Sequence, residues 1–80
     1  MNNATRIVFV DYKKYGYLAL EHLGEKLPIS VYYSRAGFYL GTISSNDIEP
    51  GTRESVEYWP TSDLAQMALE SGNWQQRLQP

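Results

Sequence analysis

Residues 29–43 read ISVYYSRAGFYLGTI and decide the fold that the sequence predicts. Two runs rich in β-branched and aromatic residues, 29–35 and 38–43, meet at a glycine, which predicts a β-hairpin. A two-residue turn on Ala36 and Gly37 would force Ala36 to a positive φ angle, whereas a three-residue loop requires one only of Gly37. We therefore predict a three-residue loop over residues 35–37.

This loop length sets the register of the hairpin and hence its two faces. Ser34 then pairs with Phe38 and Tyr33 with Tyr39, and successive side chains point to opposite faces. One predicted face carries Ile29, Val31, Tyr33, Tyr39 and Ile43. The other carries Ser30, Tyr32, Ser34, Phe38, Leu40 and Thr42.

Two further strands and a turn-rich loop are predicted outside the hairpin. Residues 6–10 are apolar on both alternating faces, which is typical of a strand covered on both sides. Residues 44–52 are dense in turn-forming types and predict an exposed loop. Residues 53–59 predict a strand that ends at Pro60, with Val56 and Tyr58 on one side and Ser55, Glu57 and Trp59 on the other.

Residues 12–24 favour a first helix. Apolar and aromatic side chains recur there at spacings of three and four, Asp11 is a suitable N-cap, and Gly24 is a suitable stop. Gly16 is unfavourable inside a helix, and the alternation of Leu18 and Leu20 suits a strand. A strand therefore remains the alternative for this segment.

A second helix is predicted between Thr61 and Gly72. Thr61 is placed as the N-cap, Asp63 lies in the first turn near the positive end of the helix dipole, and Gly72 supplies the stop. Leu64 and Ala68, like the pair one residue further on, form an apolar stripe at a spacing of four.

Together these elements predict a single α+β domain over residues 1–80, in the order β-α-β-β-β-α. Its antiparallel sheet has three to four strands, and its two helices lie on one face of the sheet. If residues 12–24 form a strand, the sheet has five strands and one helix. Residues 1–5 are expected to be disordered, and residues 73–80 to run along the surface with Trp74 packed back over the end of the second helix.

Charge and composition exclude several function classes. The chain has 80 residues, nine acidic and seven basic, and the basic residues are scattered, which disfavours phosphate-driven nucleic-acid binding. No cysteine is present, so disulfides, thiolate zinc sites and cysteine nucleophiles are excluded. With no secretory signal and no apolar run of about 20 residues, we expect a cytoplasmic protein without a membrane partner.

Catalytic and metal-binding patterns are lacking. His22 is the single histidine, and Asp47 and Glu49 in the loop lack the ligand run of a calcium site. Glu54 and Glu57 point to opposite sides of a strand and do not form a pair of carboxylates for acid-base chemistry. We therefore expect no enzyme activity, no metal and no cofactor.

Aromatic side chains point instead to surface recognition. Seven tyrosines, two tryptophans and two phenylalanines are many for the interior of so small a domain. If each of the two short helices covered one face of the sheet, the aromatic rings would be hidden. Otherwise one face contacts a partner protein, or a second copy of the chain in a homodimer. The predicted contact residues are Tyr32, Phe38, Leu40 and Trp59, with possible secondary contacts from Arg35, Asp47, Glu49 and Trp74.

A single-stranded nucleic-acid binder is the alternative, with bases stacked on the same rings beside Arg35 and Arg53. Residues 35–39 resemble the basic, glycine and aromatic run of the RNA-recognition motif, although the aromatic spacing of that motif is missing. We expect the protein-binding module to be of the adaptor or inhibitor type, which a phage or mobile element can encode. Residues 53–72 are similar to the ends of many small prokaryotic and phage domains. That similarity implies no function.

Overall fold

The described residues form one antiparallel sheet and two helices, an α+β fold of the class that the sequence predicts. The computed structural model describes residues 11–44 and 50–80, and the strand predicted at residues 6–10 lies outside them, as do residues 1–5. The described elements, in chain order, are a π-helical segment Ala19–Leu23, strand β1 Ser30–Ser34, strand β2 Gly37–Ile43, strand β3 Pro50–Arg53 and helix α1 Ser62–Ser71. The sheet has three described strands in the order β1-β2-β3.

Helix α1 begins and ends as predicted. Thr61 has an extended backbone, with φ of −134°, and its side chain accepts a hydrogen bond from the backbone N–H of Leu64 at 3.2 Å. Gly72 ends the helix in the left-handed region, with φ of 75°, a conformation that costs glycine little. The helix buries Ala65 and Ala68 against the sheet.

The β1–β2 hairpin forms, but its register differs by one residue from the predicted register. Ser34 pairs with Gly37, so the loop contains only Arg35 and Ala36. The Ser34 hydroxyl stabilises this tighter loop, since it accepts from the N–H of Ala36 and donates to the carbonyl of Gly37, both at 3.2 Å. A slip of one residue moves every side chain of β1 to the other face relative to β2.

Burial of aliphatic side chains explains the observed register. Val31 lies opposite Leu40, and Tyr32 lies opposite Tyr39. Val31 therefore joins Leu40 on the face that packs against α1, and Leu40 is fully buried there. Burying one large aliphatic side chain contributes about 1.5–3 kcal/mol. The tighter loop also places a positive φ, of 130°, on Gly37, where it costs little.

The third strand occurs earlier in the chain than predicted. β3 occupies Pro50–Arg53, inside the predicted loop, and the predicted strand at residues 53–59 is largely irregular. The reason is a bulge: the backbone N–H groups of Glu54 and Ser55 both donate to the carbonyl of Leu40, at 2.8 and 3.0 Å. Two residues on one side face a single residue on the other, and the ladder is interrupted.

Only the second half of the predicted first helix is helical. Asp11 caps an isolated turn, in which its side chain accepts from the N–H of Lys13 at 2.9 Å. The helical residues begin beyond Gly16 and end at Gly24, whose φ is 68°. The prediction of Gly24 as the stop is confirmed, and the prediction of Asp11 as the helix cap is wrong.

Trp74 completes the core, and its prediction as a lid at the end of α1 is confirmed. Its side chain is 5% exposed and belongs to a cluster with Ile29, Leu40, Ala65 and Ala68. The residues after it form backbone hydrogen bonds with the segment that follows β3, from the N–H of Val56 to the carbonyl of Gln75 at 2.9 Å and from the N–H of Arg77 to the carbonyl of Glu54 at 2.7 Å. Within the described ranges, no helix has the length and apolar character required to cross a lipid bilayer.

Candidate functional site

The sheet face opposite α1 carries a row of tyrosines. Tyr32 on β1 and Tyr39 on β2 are direct cross-strand neighbours, with ring centroids 6.1 Å apart and ring planes inclined at 40°. The ring of Tyr58 lies 6.0 Å from that of Tyr39 at 76°, and the guanidinium carbon of Arg53 lies 4.6 Å from the centre of the Tyr58 ring. We call these four residues, Tyr32, Tyr39, Tyr58 and Arg53, the tyrosine face.

Local backbone structure fixes the central ring and the cation of the tyrosine face. A Cβ atom at Gly41 would lie 2.9 Å from Cε2 of Tyr39, so the ring of Tyr39 lies over a position that only glycine leaves open. Arg53 donates from Nη1 to the carbonyls of Ser55 and Val56, at 2.7 and 3.2 Å. The guanidinium is thereby held beside the rings rather than extended into solvent.

The tyrosine face is only partly shielded from solvent. Tyr58 is 39% exposed, and Tyr32 and Tyr39 are half-buried. The adjacent Ile43 and Val56 are exposed as well. Helix α1, the longer of the two described helices, packs on the other side of the sheet, so the sheet backbone separates it from these rings.

Electrostatics on this face are dominated by the phenols and one cation. The pKa of Tyr39 is raised above its usual value, first because burial disfavours the phenolate and then because Tyr58 and Tyr32 would carry like charge. Arg53 opposes this rise, since its positive charge favours the phenolate. Tyr39 is therefore a neutral hydrogen-bonding group near neutral pH.

The predicted contact residues are divided between the two faces of the sheet. Tyr32 lies on the tyrosine face. Phe38 and Trp59 are half-buried against the core, where they exchange two backbone hydrogen bonds of 2.9 and 2.8 Å. Leu40 is fully buried and cannot contact a partner, because α1 covers the face on which it lies.

The predicted secondary contacts also lie far from one another. Arg35 is exposed in the hairpin loop. Trp74 is buried in the core, and Nζ of Lys13 lies 4.1 Å from the centre of its ring. Asp47 and Glu49 lie outside the described residues.

Sequence reasoning did not select Tyr39 and Tyr58 as contact residues. It did place these two rings on one face, and Phe38, Leu40 and Trp59 together on the opposite one, which agrees with the structure. The signal that could have identified the face opposite α1 is the pairing of aliphatic side chains. Placing Val31 opposite Leu40 puts these two aliphatic side chains on one face and leaves Tyr32 and Tyr39 on the other.

A shallow groove on the α1 side is the second surface feature. It has a volume of about 270 Å³ and is lined by Trp59, Leu64, Met67, Ala68, Ser71 and Asn73. Leu64 and Met67 are exposed along its helical wall. The groove is open and apolar, and its lining residues include no titratable side chain.

Glu54 is the one carboxylate that the structure buries completely in the described part of the chain. It accepts hydrogen bonds from the N–H groups of Leu18 and Ala19, at 2.9 and 3.1 Å, from Nε2 of Gln76 at 2.6 Å, and from the hydroxyl of Thr52. Four donors occupy the acceptor sites of this carboxylate, so it holds the fold together and is not positioned to meet a substrate.

Among residues 11–44 and 50–80, no three histidine, cysteine, aspartate or glutamate side chains come together in a way that could hold a metal ion. His22 is exposed at the end of the π-helical segment.

Comparison with protein-family models, with curated proteins and with solved structures found no match to this chain.

Proposed function

We propose that this chain is a small non-enzymatic module that binds another protein through its tyrosine face. The observation that carries the proposal is the contiguous row from Tyr32 through Tyr39 to Tyr58, which lies on the side of the sheet that α1 does not cover. Tyrosine and arginine are the residue types that carry much of the binding energy in protein interfaces, because large rings bury area at low entropic cost.

The preorganisation of the row supports the same proposal. Gly41 and the neighbouring backbone carbonyls position Tyr39 and Arg53 before any partner arrives. Side chains that are already ordered lose little conformational entropy on binding. A flexible surface of the same composition would bind less tightly.

Differential capture tests this function. The immobilised chain and its Tyr58→Ser and Tyr32→Ser variants are incubated with a host extract, and the retained proteins are compared. Tyr33→Ser is the matched control, because Tyr33 is 68% exposed but lies on the opposite face. We expect at least one protein to be retained by the unmodified chain and the control but lost from both tyrosine-face variants.

Solution mass and unfolding curves complete the test. A mass of two chains that reverts to one chain in the Tyr58→Ser variant would identify a second copy as the partner. Unfolding midpoints close to that of the unmodified chain would show that lost binding is not lost folding. Identical capture by all four proteins would refute the proposal, as would capture of nucleic acid alone.

A further inference from the structure

The groove beside α1 is a second apolar surface, and it lies on the side of the sheet opposite the tyrosine face. Leu64 and Met67 form its helical wall, with 43% and 62% of their surface exposed. The half-buried ring of Trp59 and the small side chain of Ala68 line it as well. Covering the two exposed side chains with a partner is favourable, because it removes apolar surface from water.

An acidic stripe borders the groove along α1. Asp63, Gln66 and Glu70 each precede a groove residue of the helix by one position, so they lie about 100° further round its axis. The side chain of Gln66 donates to a carboxylate oxygen of Glu70 at 3.1 Å. Ala65, on the other side of the groove residues, is buried in the core. The solvent-facing rim of the groove on α1 therefore carries two carboxylates.

The negative charge at the end of α1 has no counterpart within the helix. Glu70 lies in the last turn, where the helix dipole already places partial negative charge, and that turn has no basic residue. Lysine and arginine are absent from the whole helix, Ser62–Ser71. A cation that a partner brings to this end of the groove is therefore attracted by both the carboxylate and the dipole.

Charge selects among the possible occupants of the groove. A second copy bound about a two-fold axis would place the same patch on both sides of the interface and so bring two acidic stripes together. Nucleic acids and anionic lipid surfaces carry the same sign of charge as Asp63 and Glu70, and the chain itself has a net charge of −2. A basic partner protein is the occupant that charge complementarity favours.

The wall of the groove favours a helix over an extended segment. An extended segment gains affinity from backbone pairing with a sheet edge, whereas the wall at Leu64 and Met67 is a helix, whose backbone groups are already paired. A helical partner satisfies its own backbone groups and presents apolar side chains at spacings of three and four. The stripe from Leu64 to Ser71 covers about 10 Å of helix axis, or about two turns. Met67 adds a flexible thioether that adapts to the side chains it meets.

We infer that the groove binds a basic amphipathic helix of a partner protein. The apolar side chains of that helix pack on Leu64, Met67 and Trp59, and a lysine or arginine on its flank faces Glu70. The inference concerns a surface separate from the tyrosine face, so it goes beyond the proposed function and does not depend on it.

Titration with a labelled helical peptide tests the inference. The probe has about 18 residues, enough to form an isolated helix, with leucines at spacings of three and four and lysines on the flanks; a matched peptide carries glutamate instead of lysine. We expect saturable binding of the lysine peptide by fluorescence anisotropy, weakened at least about tenfold by Leu64→Ser or Met67→Ser. Tyr58→Ser is the control and should bind as the unmodified chain does, and unfolding midpoints establish that each variant folds.

Glu70→Lys tests the charge. Because Glu70 is exposed, this variant should fold as the unmodified chain does, and we expect it to bind the glutamate peptide in preference to the lysine peptide. No binding of the lysine peptide, equal binding of both peptides by the unmodified chain, or unchanged binding by both Leu64→Ser and Met67→Ser would overturn the inference.

Two further outcomes would assign the groove or the peptide differently, and each overturns the inference. Loss of binding in Tyr58→Ser would place the peptide on the tyrosine face. A solution mass of two chains that reverts to one in Met67→Ser would identify a second copy as the occupant of the groove. Differential capture by the tyrosine-face variants tests the proposed function separately, so either idea can fail without the other.

Discussion

The carboxylate of Glu54 accepts a hydrogen bond from the backbone N–H of Leu18 at 2.9 Å, across 36 positions of sequence. It also accepts from the N–H of Ala19, so one buried side chain holds the start of the π-helical segment against the residue that follows β3. Helix N-termini have N–H groups without intrahelical partners, and a carboxylate satisfies them well. The short helix therefore depends on a residue that is distant in sequence.

Replacement of Glu54 by glutamine tests this dependence. Gln keeps the size of the side chain but exchanges one acceptor oxygen for a donor, which would face the N–H donors of Leu18 and Ala19. Leaving buried donors without an acceptor costs about 1–3 kcal/mol, so we expect the urea midpoint to fall accordingly. Glu70→Gln is the control, because Glu70 is exposed on α1; equal midpoints for the two variants would contradict the role assigned to Glu54.

Gly16 should be intolerant of a side chain because Glu54 and Thr42 pack closely against it. A Cβ atom there would lie 2.5 Å from Oε2 of Glu54 and 2.7 Å from Cγ2 of Thr42. Overpacking of this kind costs about 1–3 kcal/mol, and Gly16→Ala should lower the free energy of unfolding by that amount. At Gly24, no atom lies within 4 Å of the added Cβ, so Gly24→Ala loses only the left-handed backbone preference; a larger loss at Gly24 than at Gly16 would disprove the steric explanation.

The sequence was sufficient to predict the hairpin and helix α1, and to place Tyr39 on one face of β2 with Phe38 and Leu40 on the other. It was not sufficient to predict the register of the β1–β2 hairpin. That register depends on the joint burial of Val31 with Leu40, which the φ preference of Gly37 does not reveal. An error of one residue then assigned Tyr32 to the same face as Leu40. The φ of Gly37 is positive in the tighter loop as well, so turn chemistry alone does not decide between the two registers.

The role of Glu54 could not be predicted from local patterns. An isolated glutamate next to a strand is typical of a solvent-exposed position, and its partners Leu18, Thr52 and Gln76 come from three separate parts of the chain. The irregular segment after β3 has the same origin, since the bulge that interrupts the ladder is where Glu54 turns inward.

Leu40 and Ile43 distinguish the sheet face that α1 covers from the tyrosine face. Leu40 is fully buried beneath α1, whereas Ile43, on the same strand, is 37% exposed and points to the other side. Truncation of a buried leucine costs about 2–5 kcal/mol, so Leu40→Ala should unfold far more readily than Ile43→Ala, which we expect to cost about 1 kcal/mol or less. Similar unfolding midpoints would mean that the faces are assigned incorrectly.

Alkaline pH should weaken the fold through Tyr39. Its pKa is raised in the folded state by burial and by Tyr58 and Tyr32, so the unfolded chain releases this proton at a lower pH than the folded chain. Between these two pKa values the unfolded state binds fewer protons, so stability falls as pH rises above about 10, the usual pKa of a tyrosine. Unfolding midpoints at increasing pH should show this decline, and Tyr39→Phe should reduce it; an unchanged slope in that variant would exclude Tyr39 as its source.

Two truncations test whether the last residues belong to the core. Removal of residues 74–80 deletes the buried Trp74 and the hydrogen bond from Arg77 N to the carbonyl of Glu54. Loss of a buried tryptophan alone costs about 3–5 kcal/mol. That is a large part of the free energy of unfolding of about 4–12 kcal/mol expected for a chain of this size. The circular dichroism spectrum of this variant should therefore be that of a largely unfolded chain. Removal of residues 78–80 deletes only exposed side chains, among them Leu78 at 69% exposure, and should change stability by about 0.5 kcal/mol or less. A folded chain that lacks residues 74–80 would show that Trp74 fills space in the core without being needed to maintain it.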